Sequence, residues 1–228
     1  YQDGATNSNI AANQFTWIYD TTNPTLSPVS IDSDNVYNNN TVEYAKTDDV
    51  VTVTFTASET IGTPTVVMTV NGADAEDTEQ VSNTSGNTWT GYITLDPMDS
   101  DGVVGFTISF TDSAGNAGTQ VTATTDGSSV TYDQTAPTMT LSCSAVADGG
   151  SHNAAVTMTF TSSEATSNFV EGDVTLSNAT LSSWNTSAAP VYKATITPSG
   201  DGTVKVSVAA NKFTDAVGNN NSASSPNP

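Results

Sequence analysis

The sequence predicts an all-β protein made of two tandem antiparallel sandwiches. Three observations predict it. Apolar and polar residues alternate at period two over many short stretches, while a helical period is found nowhere. Turn signals separate those stretches: Asn71-Gly72, the Ser-Gly-Asn from Ser85, the Asp-Ser-Asp-Gly from Asp99 and the Ser-Gly-Asp-Gly from Ser199. Finally, a block of sequence occurs twice in the same internal order.

Taken along the chain, "VVTVTFTAS" from Val50 sets Val51, Val53 and Phe55 on one face and Thr on the other, as in a half-buried strand. The same alternation predicts strands over 65–70, 88–95, 105–110, 155–160, 191–197 and 202–208. Met139, Leu141 and Cys143 alternate in "TMTLSCSA", so the single cysteine reads as a small strand hydrophobe rather than a reactive thiol. Short strands at about 8–12-residue spacing are the signature of a sandwich.

The halves align on fixed landmarks. "YDTTNPT" at 19–25 matches "YDQTAPT" at 132–138; "VTVTFTASE" ending at Glu59 matches "VTMTFTSSE" ending at Glu164; "FTDSAGN" from Phe110 matches "FTDAVGN" from Phe213. A third copy of the last motif, "YQDGATN", stands at residue 1. Together with "GDVTLSNATLSSW" from Gly172 and "ITPSGDGTVKVSVAANKFTDAVGNNN" from Ile196, this order resembles the bacterial immunoglobulin-like (Ig-like) repeats of large secreted adhesins and surface fibres. The resemblance covers nearly the whole chain and is strongest in the second repeat.

It implies two tandem Ig-like antiparallel β-sandwiches with seven strands A to G each. Residues 1–19 are expected to be a segment resembling the last strand of a preceding or neighbouring domain, 20–132 the first sandwich, and 133–228 a second sandwich lacking its last strand. Phe15, Trp17 and Tyr19 alternate as a donor strand would. Two arrangements follow: an excerpt of a tandem array, or a subunit whose residues 15–19 complete the next copy by strand addition. In either one the partner is the chain itself or an adjacent repeat, arranged in a line.

In that topology strand A begins, strand B ends and the F–G turn lies at one pole. Asp20, Glu59, Asp112 and Asn116 are expected to gather there in the first repeat, and Asp133, Glu164, Asp215 and Asn219 in the second. Oxygens converging from separate loops suit Ca2+, which takes about six to eight of them at about 2.3–2.6 Å. The plain alternative is a hairpin turn in which Asp bonds its own backbone and Gly or Asn adopts positive φ. At the opposite pole of the first sandwich, Asp96, Asp99 and Asp101 offer oxygens that could complete a shell or form a solvated acidic turn, and the turn is the favoured reading.

Composition narrows the function classes. Against 24 acidic residues stand four lysines and no arginine, a net charge of −20, which excludes nucleic-acid binding and attraction to anionic membranes. No apolar run approaches the roughly 18 residues of a membrane span, so no membrane insertion is expected. Tyr1 follows no leader pattern, so a signal peptide is expected to be already removed or to lie outside this stretch. An exported, extracellular or cell-surface location fits the Ser, Thr and Asn richness. Catalysis is not expected: the only histidine, His152, lies in a loop without a partner, and no nucleophile, phosphate or zinc motif is present. Sequons mark Asn39, Asn83, Asn178, Asn185 and Asn220 as candidate glycosylation sites. A second class of function, a glycan- or receptor-binding module, would use the acidic loops at 72–87 and 98–102.

Overall fold

A computed structural model describes residues 13–37, 43–75 and 80–226. They form two β-sandwiches with separate apolar cores. Among them no helix is long and apolar enough to cross a membrane.

The first sandwich has nine strands: β1 (Leu26–Ser33), β2 (Glu43–Ala45), β3 (Val50–Ala57), β4 (Thr65–Val70), β5 (Ala73–Asp74), β6 (Gln80–Ser85), β7 (Thr88–Thr94), β8 (Gly102–Ser109) and β9 (Val130–Tyr132). One sheet runs β1-β3-β7-β6 and the other β2-β9-β8-β4-β5, the two-sheet arrangement of an Ig-like domain. Alternation decides the faces: Val51, Val53 and Phe55 are wholly buried, and Met68, Ile93 and Ile108 meet them from neighbouring strands. β4 turns into β5 on Asn71 (φ 51°) and Gly72 (φ 79°), two successive left-handed residues that suit the twist of a tight hairpin. β9 closes the second sheet, antiparallel to β8 and parallel to β2. Its Val130 and Tyr132 are both wholly buried.

The second sandwich has seven: β10 (Met139–Cys143), β11 (Val156–Ser162), β12 (Val174–Ser177), β13 (Ala179–Ala188), β14 (Val191–Pro198), β15 (Lys205–Val208) and β16 (Ser225–Pro226), with one 3-10 turn at Glu171–Asp173. Its larger sheet runs β13-β14-β11-β10-β16, with β16 parallel to β10. The facing sheet contains β12 and β15 alone. Among the described residues, nothing takes the places that β2 and β9 hold in the first sandwich. A cluster of Phe160, Phe169, Trp184, Tyr192 and Phe213, with ring centroids 5.0–6.1 Å apart, fills the core.

The join has no slack. Tyr132 ends β9, and the N–H of Asp133 still donates to Ala45 O at 2.9 Å. Across it, Asn35 Nδ2 donates to Val217 O at 3.1 Å. A Cβ on Gly218 would stand 2.3 Å from the Tyr37 ring.

Phe15–Tyr19 forms no strand with the other described residues, and Phe15, Trp17 and Tyr19 are 84%, 75% and 83% exposed. One strand expectation needs correction: that over 202–208 begins only at Lys205, because among the described residues 202–204 have no strand beside them to complete a ladder.

Candidate metal centres at the sandwich poles

The chain enters each sandwich at the pole that holds its acidic cluster, and short contacts fix the geometry there. The Asp20 carboxylate accepts the N–H of Thr22 at 2.9 Å, and Asp133 accepts that of Thr135 at 2.9 Å; each is the side-chain turn that Asp favours. Three residues beyond that turn, Thr25 N–H donates to Ser58 Oγ and Ser58 N–H to Thr25 O. Thr138 and Ser163 repeat both bonds. Pinned in this way, the exit of β3 carries Glu59 to Asp20, and the exit of β11 carries Glu164 to Asp133.

The third carboxylate arrives on the "FTDxxGN" turn. Asp112 N–H donates to Asn116 O, Asn116 N–H returns to Asp112 Oδ1 at 2.8 Å, and Gly115 adopts φ +94°. Asp215 receives the N–H groups of Val217, Gly218 and Asn219 at 2.8–2.9 Å, with Gly218 at φ +97°. The hairpin reading and the convergence reading therefore describe the same residues. Asp112 and Asp215 are each only 6% exposed.

The asparagines act as braces. Asn116 Nδ2 donates to Asp112 Oδ2 (2.8 Å) and to Asp20 O (3.1 Å); Asn219 Nδ2 donates to Asp215 Oδ2 (3.0 Å) and Asp133 O (2.9 Å). An amide nitrogen is a donor, so these side chains tie the turn to the incoming chain and leave the carboxylates as the anionic face.

Both clusters bring three carboxylate oxygens within 4.8 Å of one another: Asp20, Glu59 and Asp112 in one, Asp133, Glu164 and Asp215 in the other. Positive charge is scarce. Among the described residues the ion pair within 4.0 Å is Lys46–Asp49, and neither residue belongs to a cluster. Burial, then Asp20 and Asp112, push the Glu59 carboxyl above its ordinary range. Burial, with Asp215 and Asp101, raises Asp133, and burial, with Asp133, Asp215 and Asp101, raises Glu164. Burial works the same way on Asp112, but the bonds from Asn116, Ala114 and Gly115 outweigh it and hold that carboxyl below the usual range. Converging hard oxygens fit a divalent cation, and Asp20, Glu59 and Asp112, or Asp133, Glu164 and Asp215, are the residues that would hold it.

Asp101 is exposed, as a solvated turn would be, and it also reaches the next sandwich. It belongs to the first sandwich yet faces the second cluster: its carboxylate accepts the N–H of Gln134 at 2.7 Å and the hydroxyl of Thr135. Gln134 Nε2 also donates to Asp99 O. The signal was available, because β9 runs straight into Asp133 and so brings the turn before β8 against the next sandwich.

Other candidates are spread out. Asn83 and Asn178 use their Nδ2 atoms as donors to Gly86 O and Gly200 O, while Asn185 accepts from Ser187. Asn220 is exposed, and Asn39 lies outside the described residues. His152 lies in an exposed loop, and Cys143 is half-buried with a free thiol.

Residues 133–228 match the model of a bacterial Ig-like domain family. No curated protein matches the chain. Among solved structures, it is similar to InvD of Yersinia pseudotuberculosis at 18% identity and TM-score 0.37, covering 88% of this chain and 58% of that one. It is also similar to the D00-D0 domain of intimin at 14% identity and TM-score 0.37, over 85% and 97% of the two chains. The titin domains Z1Z2, solved in complex with telethonin, share 13% identity at TM-score 0.34, over 91% and 97%.

Proposed function

We propose that this chain, in which residues 133–228 form a bacterial Ig-like domain, is a non-enzymatic structural repeat of an exported cell-surface filament or adhesin stalk. Its sandwiches are joined head to tail, by strand complementation or tandem linkage, and are stiffened by calcium at each pole. The observation that carries this reading is the repeated carboxylate triad, placed at the entry of both sandwiches. In the second it sits at the join, with Asp101 of the preceding sandwich beside it. A cation there ties three loops and the linker into one body. Extracellular calcium modules bind with dissociation constants of about 10⁻⁴–10⁻³ M, so such a site fills as calcium rises well above that range.

The test is small-angle scattering and melting of the full chain with calcium and with chelator. The expected result is a longer, stiffer particle with calcium and a lower melting temperature without it. Identical curves in both conditions would remove the cation from the function.

One observation favours a second reading, a glycan- or receptor-binding module. An open cavity of about 550 Å³ in the second sandwich is lined by Thr166, Val170, Glu171, Trp184 and Thr186 over the buried rings of Phe169 and Tyr192, and its partly exposed Trp184 edge with the Glu171 carboxylate and hydroxyls beside it suits a sugar ring. Glycan-array binding lost in Trp184→Ala would support it.

A further inference from the structure

The join between the two sandwiches serves as a template for a join between two molecules. In the first sandwich β9 sets Val130 opposite Val104, Thr131 opposite Val103 and Tyr132 opposite Gly102. Asp101, just before that ladder, then receives Gln134 N–H and the Thr135 hydroxyl. The second sandwich repeats the accepting side: Asp201-Gly202 stands for Asp101-Gly102, and Val204, Val206 and Val208 stand for Val104, Phe106 and Ile108. It leaves that side bare. β15 pairs with β12 on one edge; among the described residues its other edge is met only at Val208 by Ser224, and Val204 and Val206 are half-exposed against the core. The donating side is repeated at 17–22, where Trp-Ile-Tyr-Asp-Thr-Thr stands for the Val-Thr-Tyr-Asp-Gln-Thr of 130–135. Trp17, Ile18 and Tyr19 are 75%, 92% and 83% exposed, an apolar run with nothing to cover it.

We propose that the free edge of β15 takes residues Phe15–Tyr19 of a second copy of this chain in a single antiparallel register, Trp17 opposite Val204, Ile18 opposite Thr203 and Tyr19 opposite Gly202. The Asp201 carboxylate of the acceptor then receives the N–H of Thr21 and the hydroxyl of Thr22. Side-chain size supports the register. Val206 stands where the first sandwich has Phe106, and Trp17 stands where it has Val130, so a smaller acceptor residue is matched by a larger donor one. Residues 202–204 extend β15 when the partner arrives. The inference rests on the head-to-tail reading and adds to it the partner and the register.

The full chain tests it, with Cys143→Ser as background. Ile18→Cys with Thr203→Cys places two outward thiols opposite each other, and oxidation should give a ladder of disulfide-linked dimers, trimers and longer species. Ile18→Cys with Lys205→Cys, displaced by two residues on the same face, should stay monomeric. Filaments in micrographs accompanied by equal ladders from both pairs, or by a ladder from the displaced pair alone, would overturn the register while leaving the head-to-tail reading intact. A second variant appends residues 13–20 after Pro228, which gives Trp17 the spacing from Asn219 that Val130 has from Asn116. It should be monomeric, with a higher melting temperature than the parent. A parent that is itself monomeric at every concentration, yet is stabilised by the appended segment, would overturn the second copy as occupant. A monomeric parent that gains nothing from it would overturn strand complementation altogether.

Discussion

Val104, Phe106 and Ile108 on β8 are 3%, 6% and 0% exposed, while of their counterparts on β15 only Val208, at 1%, is sealed; Val204 and Val206 are half-buried. The residues hardly differ in chemistry. What differs is the neighbour: β9 lies along β8, and nothing lies along the matching stretch of β15. Burial in an Ig-like sandwich is thus set by strand count as much as by side-chain type, and the same alternating pattern yields a closed core in one half and an open flank in the other.

The largest expected effect comes from the cation. A ligand at about 100 times its dissociation constant stabilises the folded form by about 2.7 kcal/mol, and about 1 kcal/mol moves the melting point of a domain this size by roughly 4–8 °C. Chelation should therefore lower melting by roughly 10–20 °C per occupied site, as read by calorimetry. Asp133→Ala with Asp215→Ala should erase the chelator effect on the second sandwich and leave that on the first.

Next in size is the valine pair. Val104→Ala should cost roughly 1.5–3 kcal/mol as a buried side chain, and Val204→Ala less than about 1 kcal/mol in dilute, unassembled chain. Equal losses in denaturant titration would mean that the β15 flank is covered in solution.

Tyr132→Phe is the smaller probe. The phenol donates to Asp96 O at 2.7 Å and shares a bond with Thr47 Oγ1 at 3.0 Å. Its loss should cost about 0.5–1.5 kcal/mol in the first sandwich only.

The smallest effect concerns pH. Glu59, Asp133 and Glu164 hold protons in the folded chain at pH values where the unfolded chain has released them. Stability of the calcium-free chain should therefore rise as pH falls from 7 through those raised values, levelling off near about pH 4. Asp112, held low, acts in the opposite sense in more acid solution. With calcium bound the slope should reverse, because protons compete for the same oxygens. Melting curves at stepped pH, with and without chelator, check both signs.

Much of this was legible in the residues. β3, β4, β7, β10, β11 and β14 stand where alternation placed them, and the two triads converge from the loops expected to carry them. β1 escaped notice because Pro28 and a bulge between Leu26 and Val29 break its period. β6 and β13 are mostly exposed, so neither needs the apolar face that would have announced it. Phe15–Tyr19 has the pattern of a strand without the partner that makes one. The bonds of Asp101 to Gln134 and Thr135 follow from the continuity of β9 with Asp133 rather than from the spacing within its own turn.

One further consequence follows from the bond between Asp133 N–H and Ala45 O. Because the first residue of one module is still stitched into the ladder of the module before it, turning one against the other must first break that bond. Were such units repeated in a train, each join would resist twisting in the same way, as in a drive shaft rather than beads on a string.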